Sequence, residues 1–431
     1  MHSVFMALAL VVCATGGVVN AQTGGDREAG NRLTSLEADI AKLKSTQVSG
    51  YLQTEWQQFD QTTNGRGRAL LFDARRNLFT IRRGRIKIQH RLAGSMGATL
   101  QIDLTERGVV IKDAFLSTNI TSSDKENDLI ITAGAFNRPN FEVEYSSSQR
   151  ESPERAQITR AFYPDERDLG VMATFRKKVS ENFVPQLQLG LFNGTGLMSE
   201  SDSYKDVIAR LWIPLPLDPK GHIRGAIGGS FYYGGIPQLT DSIQISRDGT
   251  TFLVPNDDRG TSAPGTGNRR NVNIEAQFAV DVFSCGPTII RGEFMTGKRP
   301  TAAIAPVARD TTRFVAAAPG APFQIRNQSG YYVYLVQDLG SGVLVAAKMD
   351  GFDRNTDLAG MEVTSIGDAA STVIGVGAHY TFEHIRLTLW YELPTFATDE
   401  NIERNGSVVN DALRSTDMKD NKLTIRFQYR F

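Results

Sequence analysis

Cysteine is almost absent from this chain of 431 residues, which carries only Cys13 and Cys285. If Cys13 leaves with a secretory leader, one thiol remains and no internal disulfide can form. Histidine is scarce too, at five residues. No His/Cys grouping has metal-ligand spacing, and no glycine-rich phosphate loop precedes a helix, so neither a metal nor another cofactor is expected. After the leader, no His stands two residues before a Ser and no Asp-x-His pair occurs, which removes two hydrolase patterns and points away from an enzyme. Excess charge is missing as well. The 47 basic and 47 acidic residues cancel, which argues against nucleic acid as a partner. Beyond the leader no apolar run reaches the roughly 18 residues of a membrane helix.

What the chain does contain is an export signal and a long stretch of period two. Residues 1–21 read as a signal peptide: the apolar run Val4–Val12 is too short to span a bilayer, and Val19-Asn20-Ala21 offers small residues at the cleavage site. Residues 22–47 read as an N-terminal periplasmic helix. Leu33, Leu36, Ile40 and Leu43 have heptad spacing over two heptads, which fits either a helix lying on a neighbouring surface or a small trimeric coiled coil. From Val48 to Phe431 the pattern alternates. In "NKLTIRFQYRF", Leu423, Ile425, Phe427, Tyr429 and Phe431 share one face, and Lys422, Thr424, Arg426, Gln428 and Arg430 share the other. "NVNIEAQFAVDVF" and "HIRLTLWYE" split in the same way.

A soluble sandwich also alternates. Three features favour an all-β fold of another kind, a transmembrane antiparallel β-barrel. The strands run to about ten residues, the length a tilted strand needs to cross hydrocarbon. Their polar faces are heavily charged, and the chain closes on an aromatic. With that length as the ruler, about sixteen strands can be placed over 48–431. Short connections alternate with long ones such as 137–167, 234–270 and 394–420. That is the rhythm of tight periplasmic turns and longer outer loops. Thr105–Gly108 is a short turn on the long-loop side.

The stretch "RRNLFTIRRGRIKIQHR" concentrates six arginines and a lysine, most of them on a single strand. On Asn77–Arg91 the reading puts Arg83, Arg85, Lys87, Gln89 and Arg91 on one face, and Leu78, Thr80, Gly84, Ile86 and Ile88 on the other, with Arg82 and His90 near its ends. A cation facing lipid at mid-depth costs about 2–4 kcal/mol, so the basic face should point into a wet lumen. A column of cations there attracts anions. The competing reading is that carboxylates on neighbouring strands, such as Asp103, neutralise the column and stiffen the wall.

Four stretches resemble the phosphate-selective porins O and P of Gram-negative outer membranes. They are the helix leading into "VSGYLQTEWQQF", the strand "IRRGRIKI", the segment "IKDAFL", and "AGAFNRPNFEVEYSSSQRESPERAQITRAFYPDERDLGV". The most specific matches are Gly134-x-Phe136-x-Arg138-Pro139, Glu154-Arg155 and Arg167-Asp168-x-Gly170. The resemblance covers mainly Val48–Gly170. It implies a homotrimer of sixteen-stranded barrels in the outer membrane, surrounded by its lipid and passing small anions such as phosphate. By resemblance Arg83, Arg85 and Lys87 take an anion-attracting, pore-lining role. In such porins the third outer loop folds inward, which places Arg138, Arg155 and Arg160 as further candidates at a constriction. Glu142, Glu144, Glu151 and Glu154 are interleaved with them, so a self-paired loop is the alternative. Departures from the family are the neutral overall charge and the lumen carboxylates Asp103, Glu275 and Asp281. Function is therefore expected to be passive diffusion of small anions. The rival readings are a general diffusion porin, an outer-membrane enzyme and a structural envelope protein.

Overall fold

A computed structural model describes residues 45–59, 77–91, 95–121, 126–200, 203–218, 220–235, 242–247, 250–255, 268–281, 285–302, 323–359, 369–396 and 421–431. The signal peptide and nearly all of the 22–47 helix lie outside these residues. The strands are β1 Thr46–Phe59, β2 Asn77–Arg91, β3 Met96–Thr105, β4 Gly108–Asn119, β5 Asn127–Asn137, β6 Arg167–Lys177, β7 Gln186–Phe192, β8 Asp206–Pro216 and β9 Ile223–Gly235. They continue with β10 Ser242–Arg247, β11 Thr250–Pro255, β12 Asn268–Val280, β13 Thr288–Ala302, β14 Phe323–Gly340, β15 Val343–Asp353, β16 Ser371–Phe382, β17 Ile385–Phe396 and β18 Lys422–Arg430. Two short helices, α1 Phe141–Glu144 and α2 Gln157–Phe162, interrupt the segment between β5 and β6.

Sixteen of these strands make the wall. Each pairs with its sequence neighbour, β9 pairs directly with β12, and β1 pairs with both β2 and β18, which closes the sheet. The last residue completes the closure: Phe431 N–H donates to Gly50 O at 3.1 Å, and Gly50 N–H donates to Phe431 O at 3.0 Å. A closed sheet leaves no backbone edge unpaired in hydrocarbon, which is the condition for spanning a membrane with strands. The other two strands, β10 and β11, form a hairpin inside the long 234–270 connection. Ile243–Ile245 of that hairpin runs parallel to Phe323–Ile325 of β14.

Alternation puts large apolar groups outside. Leu52, Leu100, Leu116, Val171, Leu211, Phe231, Ile274, Ile290, Phe294, Leu335, Ile374, Leu389, Ile425 and Phe427 are all exposed. Such an apolar exterior on a closed barrel belongs against lipid. The residues between them are inward and buried, and many are charged. Tight turns join strands at one end: Glu383, with φ 49°, turns β16 into β17, and Ser341 with Gly342 turns β14 into β15.

The alternation places strand starts near Val48, Asn77, Gly97, Val109, Asp128, Asp168, Phe183, Tyr204, His222, Asn271, Pro287, Gly330, Ser341, Thr372, His384 and Asn421, and all but one of them fall within three residues of an observed start. The exception is β14, which starts at Phe323 rather than near Gly330. Its first seven residues pair with the far end of β13. The alternation also fails inside β2. Arg82 and Arg83 are consecutive, yet both reach the same carboxylate, Glu154. Both therefore face the lumen, and Phe79 and Ile81 above them are exposed. Arg82 thus corrects the strict two-face reading of this strand.

Candidate functional site: the inward loop and its charged wall

The loop from Arg138 to Glu166 folds into the barrel, as expected of a third outer loop. Asn140 caps α1 by accepting from Val143 N–H at 3.1 Å. The chain here is too short and polar for a stable free helix, so its seat comes from the wall. Glu293 on β13 accepts from Asn140 Nδ2 at 2.9 Å, from Glu142 N–H at 2.7 Å and from Tyr332 Oη at 2.7 Å. Asp350 on β15 accepts from Gln157 N–H at 3.1 and 3.0 Å, which holds the start of α2. Ile158 fits over Gly330 of β14, where an added Cβ would meet its Cγ2 at 2.1 Å.

On the other side of the lumen the same loop meets β17, β18, β1 and β2. Arg386 donates to Ser148 O at 3.3 Å and Gln149 O at 3.1 Å. Arg426 donates to Pro153 O at 2.9 Å, and Gln428 Nε2 to Ser148 O at 3.1 Å. Tyr51 Oη and Ser147 Oγ lie 2.6 Å apart. Arg82 Nε donates to Glu154 at 2.5 Å. The loop therefore bridges opposite walls of the barrel and narrows the passage between them.

The two walls differ in charge. On β17, β18 and β2 the inward cations are Arg386, Lys422, Arg426, Arg430, Arg82, Arg83, Arg85 and Lys87. They outnumber the carboxylates beside them, Glu392 on β17, Glu55 on β1, Asp103 on β3 and Glu154 of the loop. On β8, β12 and β13 the balance is closer. Arg210 pairs with Glu275 and with Glu144 of the loop, each at 2.7 Å, and Glu275 stands directly opposite Glu293.

The candidate residues named from sequence divide into two groups. Arg83 and Arg85 face inward but are 4% and 6% exposed. Arg85 pairs with Asp103 at 3.2 Å, as the wall-stiffening alternative expected. Arg83 donates to Gln53 Oε1 at 3.0 Å. Arg138 and Arg155 are buried within the loop itself. Arg138 donates to Pro164 O and lies over the Tyr163 ring. Arg155 pairs with Glu166 at 2.5 Å and donates to the carbonyls of Glu142, Val143 and Tyr145. Lys87 is half-buried, and Arg160 is exposed on α2. Arg82 and Arg386, which the sequence reading did not single out, are open to the lumen in part.

Two loop carboxylates are fixed as anions. Burial alone would raise Glu154, but the Arg82 guanidinium and then Arg83 hold it well below the usual carboxylate range. Glu166 is likewise opposed by burial and held well below that range by Arg155 and Arg167. Among the described residues no group of three or more His, Cys, Asp or Glu is placed to hold a metal ion.

No protein-family model matches the chain, and no curated protein matches its sequence. Solved structures do match in fold. The anion-selective porin from Comamonas acidovorans superposes with a TM-score of 0.51 at 11% identity, covering 90% of this chain and 99% of that one. The outer membrane channel DcaP of Acinetobacter baumannii gives 0.52 at 12% identity, with 90% and 97% covered. In-vitro folded OmpT of Vibrio cholerae, in its trimer form, gives 0.50 at 12%, with 90% and 99% covered. At such identities the likeness is one of fold. That fold and the apolar exterior together make this chain an outer-membrane barrel with the architecture of porins.

Proposed function

We propose that the chain is a passive diffusion channel of a Gram-negative outer membrane that favours small anions, phosphate among them, and works as a homotrimer. No bond is made or broken. Selectivity arises from fixed wall charge at the narrowing. The observation that carries the reading is the basic arc of β17, β18 and β2, whose cations outnumber the carboxylates beside them. Arg82, Lys87 and Arg386 are half-buried and Arg160 is exposed, and these four are the cations that meet a passing solute in this reading. Arg83 and Arg85 add to the potential from behind, while Arg138 and Arg155 set the shape of the loop. The family resemblance and the two heptads support the trimer.

A second reading has its own observation. Arg82 and Arg83 meet Glu154, Arg85 meets Asp103, Arg426 meets Glu55 and Arg291 meets Glu151. Pairing of that extent would leave a general diffusion porin. Planar-bilayer recording in a KCl gradient separates the two. The anion reading expects a reversal potential on the anion side that moves toward zero in Arg82→Gln/Lys87→Gln/Arg386→Gln, and a current reduced by added phosphate. A reversal potential near zero in the wild type sinks it and leaves the general porin. Absence of conductance sinks both.

A further inference from the structure

We propose that the outer rim of β12 and β13 binds the phosphorylated headgroup of a membrane lipid through Arg270 and Lys298. The two residues stand directly opposite each other across the antiparallel pair. Both belong to the outward set, since Arg269, Asn271, Asn273 and Glu275 between and below them are buried toward the lumen. Like charges at opposed positions repel, and no carboxylate among the described residues pairs with either cation. The row continues to Tyr233 on β9 and Asn327 on β14, so a polar strip crosses four strands at one height.

What lies beneath fixes the ligand class. The next outward pair toward the membrane centre is Val272 and Thr296, followed by Ile274 and Phe294; Val272, Ile274 and Phe294 are 49%, 64% and 46% exposed. A cation pair directly above an apolar face matches an amphiphile with its anion up and its chains down. The guanidinium offers paired N–H donors to two phosphate oxygens, and the ammonium adds a compact charge. Binding one phosphate ester would remove the mutual repulsion of the two cations. This site faces lipid, not the pore, so it stands independently of what the channel conducts.

The test uses the full chain in detergent micelles, with retained lipid counted by native mass spectrometry. Phosphatidic acid is offered against phosphatidylcholine of the same chain length. The wild type should hold the phosphatidic acid selectively. Each cation near an anionic lipid surface is worth about 1 kcal/mol, so R270Q/K298Q should bind it about 30-fold more weakly. Arg270→Lys/Lys298→Arg, which swaps the cations, should keep the selectivity. Phe294→Ala should weaken the lipid while leaving capture of inorganic phosphate as it was. Unchanged retention in R270Q/K298Q overturns the proposal. Inorganic phosphate binding as tightly as the lipid also overturns it, because the apolar face then contributes nothing. Should the double variant fail to fold, Lys298→Gln alone carries the test, with a loss of about fivefold expected and an unchanged affinity refuting it.

Discussion

Removing the Arg155 guanidinium should unseat the inward loop while leaving the barrel intact. Arg155 is 4% exposed and holds together parts of the loop distant along the chain. Its Nε and Nη2 reach the two oxygens of Glu166 at 2.5 and 3.0 Å, and its other donors go to carbonyls of α1 and its end. In Arg155→Met the apolar stem is kept and the charge is lost. Breaking a buried pair from one side costs about 3–5 kcal/mol. Glu166 keeps Arg167 at 2.9 Å, so the lower end, about 3 kcal/mol, is the sensible expectation. That is a rise of roughly a hundredfold in the population of loop-displaced states. The wall strands do not depend on Arg155 for their ladder, so heat-resistant barrel migration should persist. Single-channel recording should show larger mean conductance with frequent brief transitions, and trypsin should cut after Arg150 or Arg160 faster than in the wild type. Arg160→Met, an exposed change on α2, serves as the control and should alter selectivity without adding noise. If Arg155→Met gives the wild-type conductance, noise and cleavage rate, the loop is not held in the way described.

Three further outcomes follow from the geometry. Gly330→Val puts side-chain atoms where Ile158 Cγ2 and Gly351 O already lie, at 2.1 and 2.5 Å from the ideal Cβ; it should lift α2 off β14 and raise conductance, read in the same bilayer recording. Gly50→Val places its Cβ against Arg85 O and the Phe431 ring, 2.3 and 2.5 Å away; it should hinder closure of β1 on β18 and lower the yield of heat-resistant barrel in a refolding assay. The pH response of the loop has a definite sign. Glu154 and Glu166 have folded pKa values below their unfolded ones, so their contribution is fully present above the unfolded value of about 4.3 and is lost as pH falls through the folded values. Current noise should therefore stay flat from neutral pH to about 5 and grow only in strong acid; a rise between pH 7 and 5 would exclude these two carboxylates as the titrating anchors.

Most of the wall was legible in the sequence because lipid and water impose a strict period of two on every strand that separates them. "NKLTIRFQYRF" shows this in full: Ile425 and Phe427 face out, and Thr424 and Arg426 face in. The pattern fails where that constraint lapses. β10 and β11 are six residues each, too short for a ruler of about ten residues, and the apolar residues Ile243 of β10 and Ile325 at the start of β14 are buried rather than set against lipid. At Arg82 and Arg83 the demand of one carboxylate overrides alternation, since Glu154 draws both arginines inward. The loop was legible as a loop but not as a bridge. Its partners Glu293, Asp350, Arg386 and Arg426 lie far along the chain, and no local pattern announces that Arg291 will meet Glu151. This difference also explains why a run of cations on one strand does not by itself set selectivity. Arg85 and Lys87 are adjacent on the same face, yet Arg85 is paired with Asp103 on β3 while Lys87 has no ion pair among the described residues. A side chain contributes to an ion's path in proportion to the charge left unpaired around it, and that remainder is a property of the assembled wall and loop together.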